Sequence, residues 1–202
     1  MIKNIKKCLL SALLLFTLAS CDNSATSNIG DTSNNTDSSL TKENTKTLVA
    51  YFSWSGTTKE MATYINNKVN GTIMEIIPTK PYPTDYTETG NIAKDERDNN
   101  ERPAIANLLE SIIEYDNIFI GYPIWWHTAP MIIGTFLENY NLSNIDIYPF
   151  SQSASMDVTQ FNNSMDFIKE CAPGAIVHNG LFTRESNTTA IDQYLISNGF
   201  IN

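Results

Sequence analysis

The sequence predicts an α/β domain built as a doubly wound, five-stranded parallel sheet, and three observations lead there. Three short apolar runs, Leu48–Phe52, Asn117–Tyr122 and Ile145–Phe150, are rich in β-branched and aromatic residues, and each is followed at once by Ser or Pro. Continuous runs of this kind, without polar alternation, mark strands buried on both faces. Between them the apolar spacing changes to three and four residues, the period of a helix. The chain from Thr47 to Asn202 is also the right size for one core, with no room for a second domain.

Taken in order, Leu48–Phe52 is the first strand. Thr57–Val69 follows as a helix, with Met61, Tyr64, Ile65 and Lys68 on one side. Thr72–Ile77 reads as the second strand and Ala104–Tyr115 as the second helix. Asn117–Tyr122 is the third strand. Pro130–Tyr140 is a helix that opens with a proline, where a missing N–H costs nothing, and carries Ile133, Phe136, Leu137 and Tyr140 together. The remaining elements are the strand Ile145–Phe150, the helix Val158–Cys171, the strand Ala175–Leu181 and the helix Thr188–Ser197. Alternation of this kind leaves a parallel sheet covered on both faces as the economical architecture. The segment Pro78–Arg102, with Tyr82, Tyr86 and many acidic residues, is longer than a usual connection.

The first residues are expected to stand apart from this domain. Lys3, Lys6 and Lys7 precede an uncharged, Leu-rich run from Cys8 to Ala19, which is the build of a signal peptide. That run falls short of the ~20 apolar residues needed to cross a bilayer. Leu18, Ala19, Ser20 and Cys21 resemble a bacterial lipobox, which implies cleavage before Cys21 and lipidation of its sulfur. The expected organisation is a lipoprotein signal at 1–20, a tether at 21–46 and the folded domain at 47–202. The tether is Ser, Thr, Asn and Asp with few large apolar residues, too little to offset the entropy of ordering. The expected product is exported, extracytoplasmic and lipid-anchored to a bacterial membrane.

Composition removes several functions. Without the three signal lysines the chain keeps 10 of its 13 basic residues against 22 acidic ones, a formal charge of −12, which speaks against nucleic-acid binding. Cys8 leaves with the signal and Cys21 is taken by lipid, so Cys171 has no partner for a disulfide and no companions for an iron–sulfur centre. His127 and His178 are far apart, with no carboxylate at ligand spacing, so no metal site is expected.

In a doubly wound sheet, ligands bind at the carboxyl ends of the strands where the winding reverses. After the first strand come Ser53, Trp54, Ser55, Gly56, Thr57 and Thr58, directly before a helix. Hydroxyls and backbone N–H groups at a helix start can surround an anion, and the helix dipole adds about 0.3–1 kcal/mol. A nucleotide-hydrolase loop would need Lys directly after the glycine, and the dinucleotide fingerprint would need three spaced glycines; neither is present. After the third strand come Pro123, Ile124, Trp125, Trp126 and His127. Adjacent residues on a turn cannot both enter one core, so at least one tryptophan is expected to face the crevice, where it could wall a planar ring. Packing of both tryptophans over a neighbouring helix is the alternative.

The runs LVAYFSWSGTTK at Leu48–Lys59, Arg102–Ile105, and YDNIFIGYPIWWHTAP at Tyr115–Pro130 resemble the flavodoxin-like family of small FMN-binding proteins. The resemblance covers essentially the whole domain and implies the strand order 2-1-3-4-5. It implies that Ser53, Ser55, Gly56, Thr57 and Thr58, with Trp54 in the same loop, hold the FMN phosphate. Pro123, Ile124, Trp125 and Trp126 would line the isoalloxazine and ribityl chain. Two positions depart from the family pattern. His127 stands where a glycine is common, as a structural residue or as a group beside the ring. Ser151, Gln152 and Ser153 begin a third contact loop that is usually richer in glycine.

No catalytic side chain is expected, because the cofactor carries the chemistry. The resemblance implies a redox protein at a membrane surface. It would be an FMN oxidoreductase of the NAD(P)H or quinone type, or an electron carrier that docks on a redox partner protein. A flavodoxin scaffold without cofactor, acting as an extracytoplasmic binding module, is the alternative. The long Pro78–Arg102 segment is expected to pack near the flavin edge or to remain a solvated loop.

Overall fold

The computed structural model describes Lys42 and residues 45–202. The expected signal at 1–20, Cys21 and nearly all of the expected tether lie outside the described residues. Among the described residues no helix is long and apolar enough to cross a membrane.

The elements alternate as β1 (Thr47–Tyr51), α1 (Thr57–Val69), β2 (Thr72–Glu75), α2 (Tyr86–Asp98), β3 (Asn117–Pro123), α3 (Met131–Glu138), β4 (Asp146–Gln152), α4 (Val158–Cys171), β5 (Ile176–Val177), β6 (Leu181–Phe182) and α5 (Thr188–Ser197). The sheet runs in the order β2-β1-β3-β4-β5, all pairs parallel, with β6 also on β4. This is the flavodoxin-like order that the sequence implies.

Strand side chains alternate between faces, and the buried residues divide accordingly. Leu48, Ala50, Ile118, Ile120 and Tyr122 pack with Ile132, Ile133, Phe136 and Leu137 of α3 and Ile168 of α4. Val49, Tyr51, Phe119, Tyr148 and Phe150 face the other way, against Met61, Ala62 and Ile65 of α1 and Ile191 and Leu195 of α5. Both faces of the central strands are therefore dry, which is why their sequences show no polar alternation.

Two expected elements are corrected. Ala104–Tyr115 is not a helix. Ile105 makes an antiparallel bridge with Pro78, Thr79 N–H donates to the Ala104 carbonyl, and Ala106 N–H donates to that of Ile77. Asn107 completes the arrangement, its Nδ2 donating to the Glu75 carbonyl at 2.8 Å and its Oδ1 accepting from Ile77 N–H at 3.0 Å. These backbone partners at the end of β2 override helix propensity, which is only a weak preference. The helix forms earlier, as α2, inside the segment expected to be a connection. Its buried residues are Thr89, Ala93 and Glu96, at helical spacing but too small or polar to register as an apolar face.

The expected last strand, Ala175–Leu181, is broken into β5 and β6. Two residues of β4, Tyr148 and Pro149, lie opposite three, His178 to Gly180, so the register slips by one across the break. Pro149 has no N–H to continue the ladder, and a bulge absorbs the gap. At the opposite end of the chain, Lys42 already joins the domain. Its Nζ donates to Asn117 Oδ1 at 2.8 Å and pairs with Asp146 at 3.6 Å.

Gly121 of β3 lies opposite Phe150 of β4, and a Cβ on it would fall 2.2 Å from that ring. Replacing Gly121 with Ala should lower the free energy of unfolding by roughly 1–3 kcal/mol, the cost of overpacking a core. Urea titration measures this, and an unchanged midpoint would show that the ring moves aside freely.

Candidate functional site

Parallel pairing of β1 with β3, through Tyr51 and Gly121, places the loops that follow them side by side. Pairing of β3 with β4 adds the loop that starts at Ser151. All three regions singled out in the sequence thus meet at the carboxyl edge of the sheet.

The loop after β1 is folded by its own first serine. Ser53 Oγ accepts from the N–H groups of Gly56 at 3.1 Å and Lys59 at 3.2 Å. Gly56 then caps α1 with a φ of 97° and has no side chain to cap with, so Ser53 holds the third amide of the helix, that of Lys59, while among the described residues no side chain takes those of Thr57 and Thr58. A glycine adopts that left-handed backbone without strain. This leaves the first two amides of the helix and the positive end of its dipole open to an anion. The Ser55 and Thr57 hydroxyls are 3.2 Å apart beside it, while Thr58 is buried. Lys59 is the nearby cation in sequence, and it pairs with Glu75 at 3.3 Å. The cradle is built from neutral donors.

Gln152 ties the third loop to the first, its Nε2 donating to Thr57 Oγ1 at 2.5 Å. Ser151 is fully buried and its hydroxyl donates to the Tyr122 carbonyl at 2.6 Å, so its side chain stitches β4 to β3 rather than facing a ligand. Ser153 Oγ accepts from Met156 N–H at 3.0 Å, shaping the turn into α4.

The tryptophan pair divides as chain geometry requires. Trp125 turns inward, edge-on to Phe52 with ring centroids 5.2 Å apart and to Tyr82 at 5.1 Å. Trp126 turns outward and keeps 36% of its surface exposed, and His127 is also exposed. Pro123 is half-buried at the strand end, and Ile124 is buried against Phe161 and Met165. Trp125 and Thr128 exchange backbone hydrogen bonds of 2.9 and 3.0 Å across a two-residue turn. Trp126 and His127, its central residues, have φ of 46° and 69°. Both are left-handed, a conformation that costs a non-glycine residue about 1–2 kcal/mol. This explains why a glycine suits the position that His127 occupies here.

Sequence reasoning missed how α2 takes part. Trp54 Nε1 donates to the Pro83 carbonyl at 2.8 Å and its ring lies 6.3 Å from that of Tyr86. Trp126 Nε1 donates to the Gly90 carbonyl at 2.6 Å, and Arg97 Nη1 donates to the Trp126 carbonyl at 2.9 Å. With Tyr82 against Trp125, the long segment therefore packs against all three of the tryptophans singled out above. A signal for it was present. Asp85 is followed three residues later by Glu88, and the Glu88 N–H donates to Asp85 Oδ1 at 2.8 Å as a helix cap.

Behind Tyr82 lies a cavity of about 640 Å³, lined in part by Pro78, Lys80, Ile92, Glu96 and Arg102. Tyr82 OH donates to Glu96 Oε2 at 2.8 Å. Burial pushes the Glu96 carboxyl above the usual carboxylate range; the Tyr82 hydrogen bond draws it back and Glu101 pushes it further up. Burial and the Glu96 charge push the Tyr82 phenol up as well.

Together, the anion cradle at the start of α1 and the aromatic wall after β3 define an α/β protein that can take a planar ligand carrying a phosphate, at the reversal point of its sheet. The comparisons agree with that class. The flavodoxin family matches residues 46–197, and the chain belongs to it. A candidate flavoprotein from Bacteroides eggerthii is 35% identical, with a TM-score of 0.67, over 75% of this chain and 96% of that one. A second, from Bacteroides uniformis, is 34% identical with a TM-score of 0.66, over 75% and 97%. A Lactobacillus acidophilus flavoprotein solved in complex with FMN is 27% identical with a TM-score of 0.60, over 74% and 98%. No curated protein matches.

Folded Glu96 holds its proton more tightly than the unfolded chain does. Its contribution to stability is fully present below the ordinary value of about 4.3 and is lost as pH rises through the higher folded value. Glu96→Gln does not titrate, so its stability relative to the natural protein should rise between pH 4 and pH 8. Urea midpoints at the two pH values measure this; a constant difference would show that Glu96 is not perturbed.

Proposed function

We propose that this protein binds FMN at the carboxyl edge of its sheet and works as a redox protein through it. The observation that carries this reading is the meeting, across β1 and β3, of a helix start whose first two amides no side chain caps with a wall of aromatic side chains. Membership of the flavodoxin family and the FMN complex of the Lactobacillus acidophilus relative support FMN as the cofactor.

The residues present fit that group. The Thr57 and Thr58 amides of α1, with the hydroxyls of Ser55 and Thr57, would hold the phosphate, and Ser53 and Gly56 shape the loop that presents them. Trp125 and Trp126, with Pro123, would line the ring and ribityl chain, while Ile124, buried against Phe161 and Met165, supports the turn from behind. Bound FMN would supply the electron and hydride chemistry. The protein's part is to bind, to orient and to set the electrostatic surroundings. Neutral donors at the phosphate and a strongly acidic mature chain disfavour added negative charge, which lowers the flavin's reduction potential.

Within this reading the protein either passes electrons to a partner or oxidises and reduces a small molecule at the flavin. The cationic, apolar start ending in Leu18, Ala19, Ser20 and Cys21 supports export and a lipid anchor at Cys21, and with them a proposed redox role outside the cytoplasm at a membrane surface.

The test is a visible absorption spectrum of the protein after incubation with FMN and desalting. A retained flavin band is expected. In Thr57→Val, loss of a hydroxyl next to a charged phosphate should weaken FMN binding about tenfold or more. A colourless protein with no FMN uptake would contradict the proposal and favour a cofactor-free binding module on the same scaffold.

A further inference from the structure

We propose that Arg97, on helix α2, is a positioning residue that holds the Trp126–His127 turn in its left-handed form and so fixes the ring-binding wall of the site. The inference rests on the flavin reading given above, and it concerns the ring rather than the phosphate.

The turn needs an external support. Two consecutive non-glycine residues have positive φ, and the turn's own backbone supplies only the reciprocal bonds between Trp125 and Thr128. Such left-handed pairs are normally left to Asn and Gly, which adopt them readily. A tryptophan and a histidine persist there only when their surroundings over-determine the conformation.

Helix α2 provides that constraint at both ends of Trp126. The indole Nε1 donates to the Gly90 carbonyl, and the main-chain carbonyl accepts from Arg97 Nη1. The Arg97 guanidinium also lies 5.5 Å from the centroid of the Trp126 ring, within cation–π range. One side chain therefore holds both the peptide and the ring of the same residue.

Arg97 is itself aimed. Its Nε and Nη2 both donate to Asp98 Oδ1, at 2.9 and 2.6 Å, which leaves Nη1 free to reach the turn. Lys94 Nζ donates to the other carboxylate oxygen of Asp98 at 2.6 Å and steadies it from the preceding turn of the helix. The arrangement uses the rigid, forked donors of a guanidinium, which a lysine ammonium cannot reproduce. Lysine in its place keeps the charge and loses the geometry.

Because the clamp acts on the wall and not on the cradle, removing it should weaken FMN and riboflavin by the same factor, since riboflavin keeps the ring and lacks the phosphate. The experiment titrates both flavins into the natural protein, Arg97→Ala and Arg97→Lys, and follows backbone amide exchange in the flavin-free proteins. Arg97→Ala should lose about tenfold in affinity for each flavin, as expected for a hydrogen bond from a charged donor, with Arg97→Lys restoring part of it. In flavin-free Arg97→Ala the amides of Trp125 and Thr128 should exchange faster, while those of Phe119 and Ile120 in β3 stay protected.

Equal flavin affinity in Arg97→Ala, or unchanged exchange at Trp125 and Thr128, would overturn the inference and leave FMN binding intact. A loss for FMN alone would also overturn it, because Arg97 would then be serving the phosphate. No flavin binding by the natural protein would remove the flavin reading and this inference together.

Discussion

Side-by-side pairing of β1 and β3 is the constraint on which the site depends. These strands are neighbours in space although α1, β2 and α2 separate them in the chain, so the winding of the sheet reverses between them. At that reversal the connections leave towards opposite faces, and a crevice opens between the loops. The approach of β3 to β4 is close enough to require glycine at position 121 against the Phe150 ring. Buried on both faces, the three strands form a rigid floor, and the loops above inherit its precision.

What stands on that floor is unequal. The loop after β1 is ordered from within, by a serine oxygen that gathers the Gly56 amide and the third amide of α1, and by a glycine that starts the helix. The loop after β3 is ordered from outside. Its left-handed turn leans on α2, and its inward tryptophan leans on Phe52 and Tyr82. The cradle is thus a local property of a dozen residues, whereas the wall depends on a segment far away in sequence.

The same difference decides what was legible in the sequence. β1, β3 and β4 were readable because strands dry on both faces must be apolar throughout, and the cradle was readable because its residues are contiguous. Helix α2 was not, because it buries Thr89, Ala93 and Glu96, a face with almost no hydropathic contrast. Ala104–Tyr115 misled in the opposite sense. It has the composition of a helix, yet it leaves Ile113 almost fully exposed and uses its backbone to close the end of β2. The break in the last strand follows from Pro149 on the neighbouring strand, a constraint visible only once the pairing is known. That one of two adjacent tryptophans must turn outward followed from chain geometry; that its carbonyl is held by Arg97 did not.

The most direct measurement is a crystal structure of the protein grown with FMN. The phosphate is expected at the start of α1, within hydrogen-bond reach of the Thr57 and Thr58 amides, with the ring against the Trp125–Trp126 turn and that turn still left-handed. A flavin bound elsewhere, or a phosphate that leaves the α1 amides free, would contradict it.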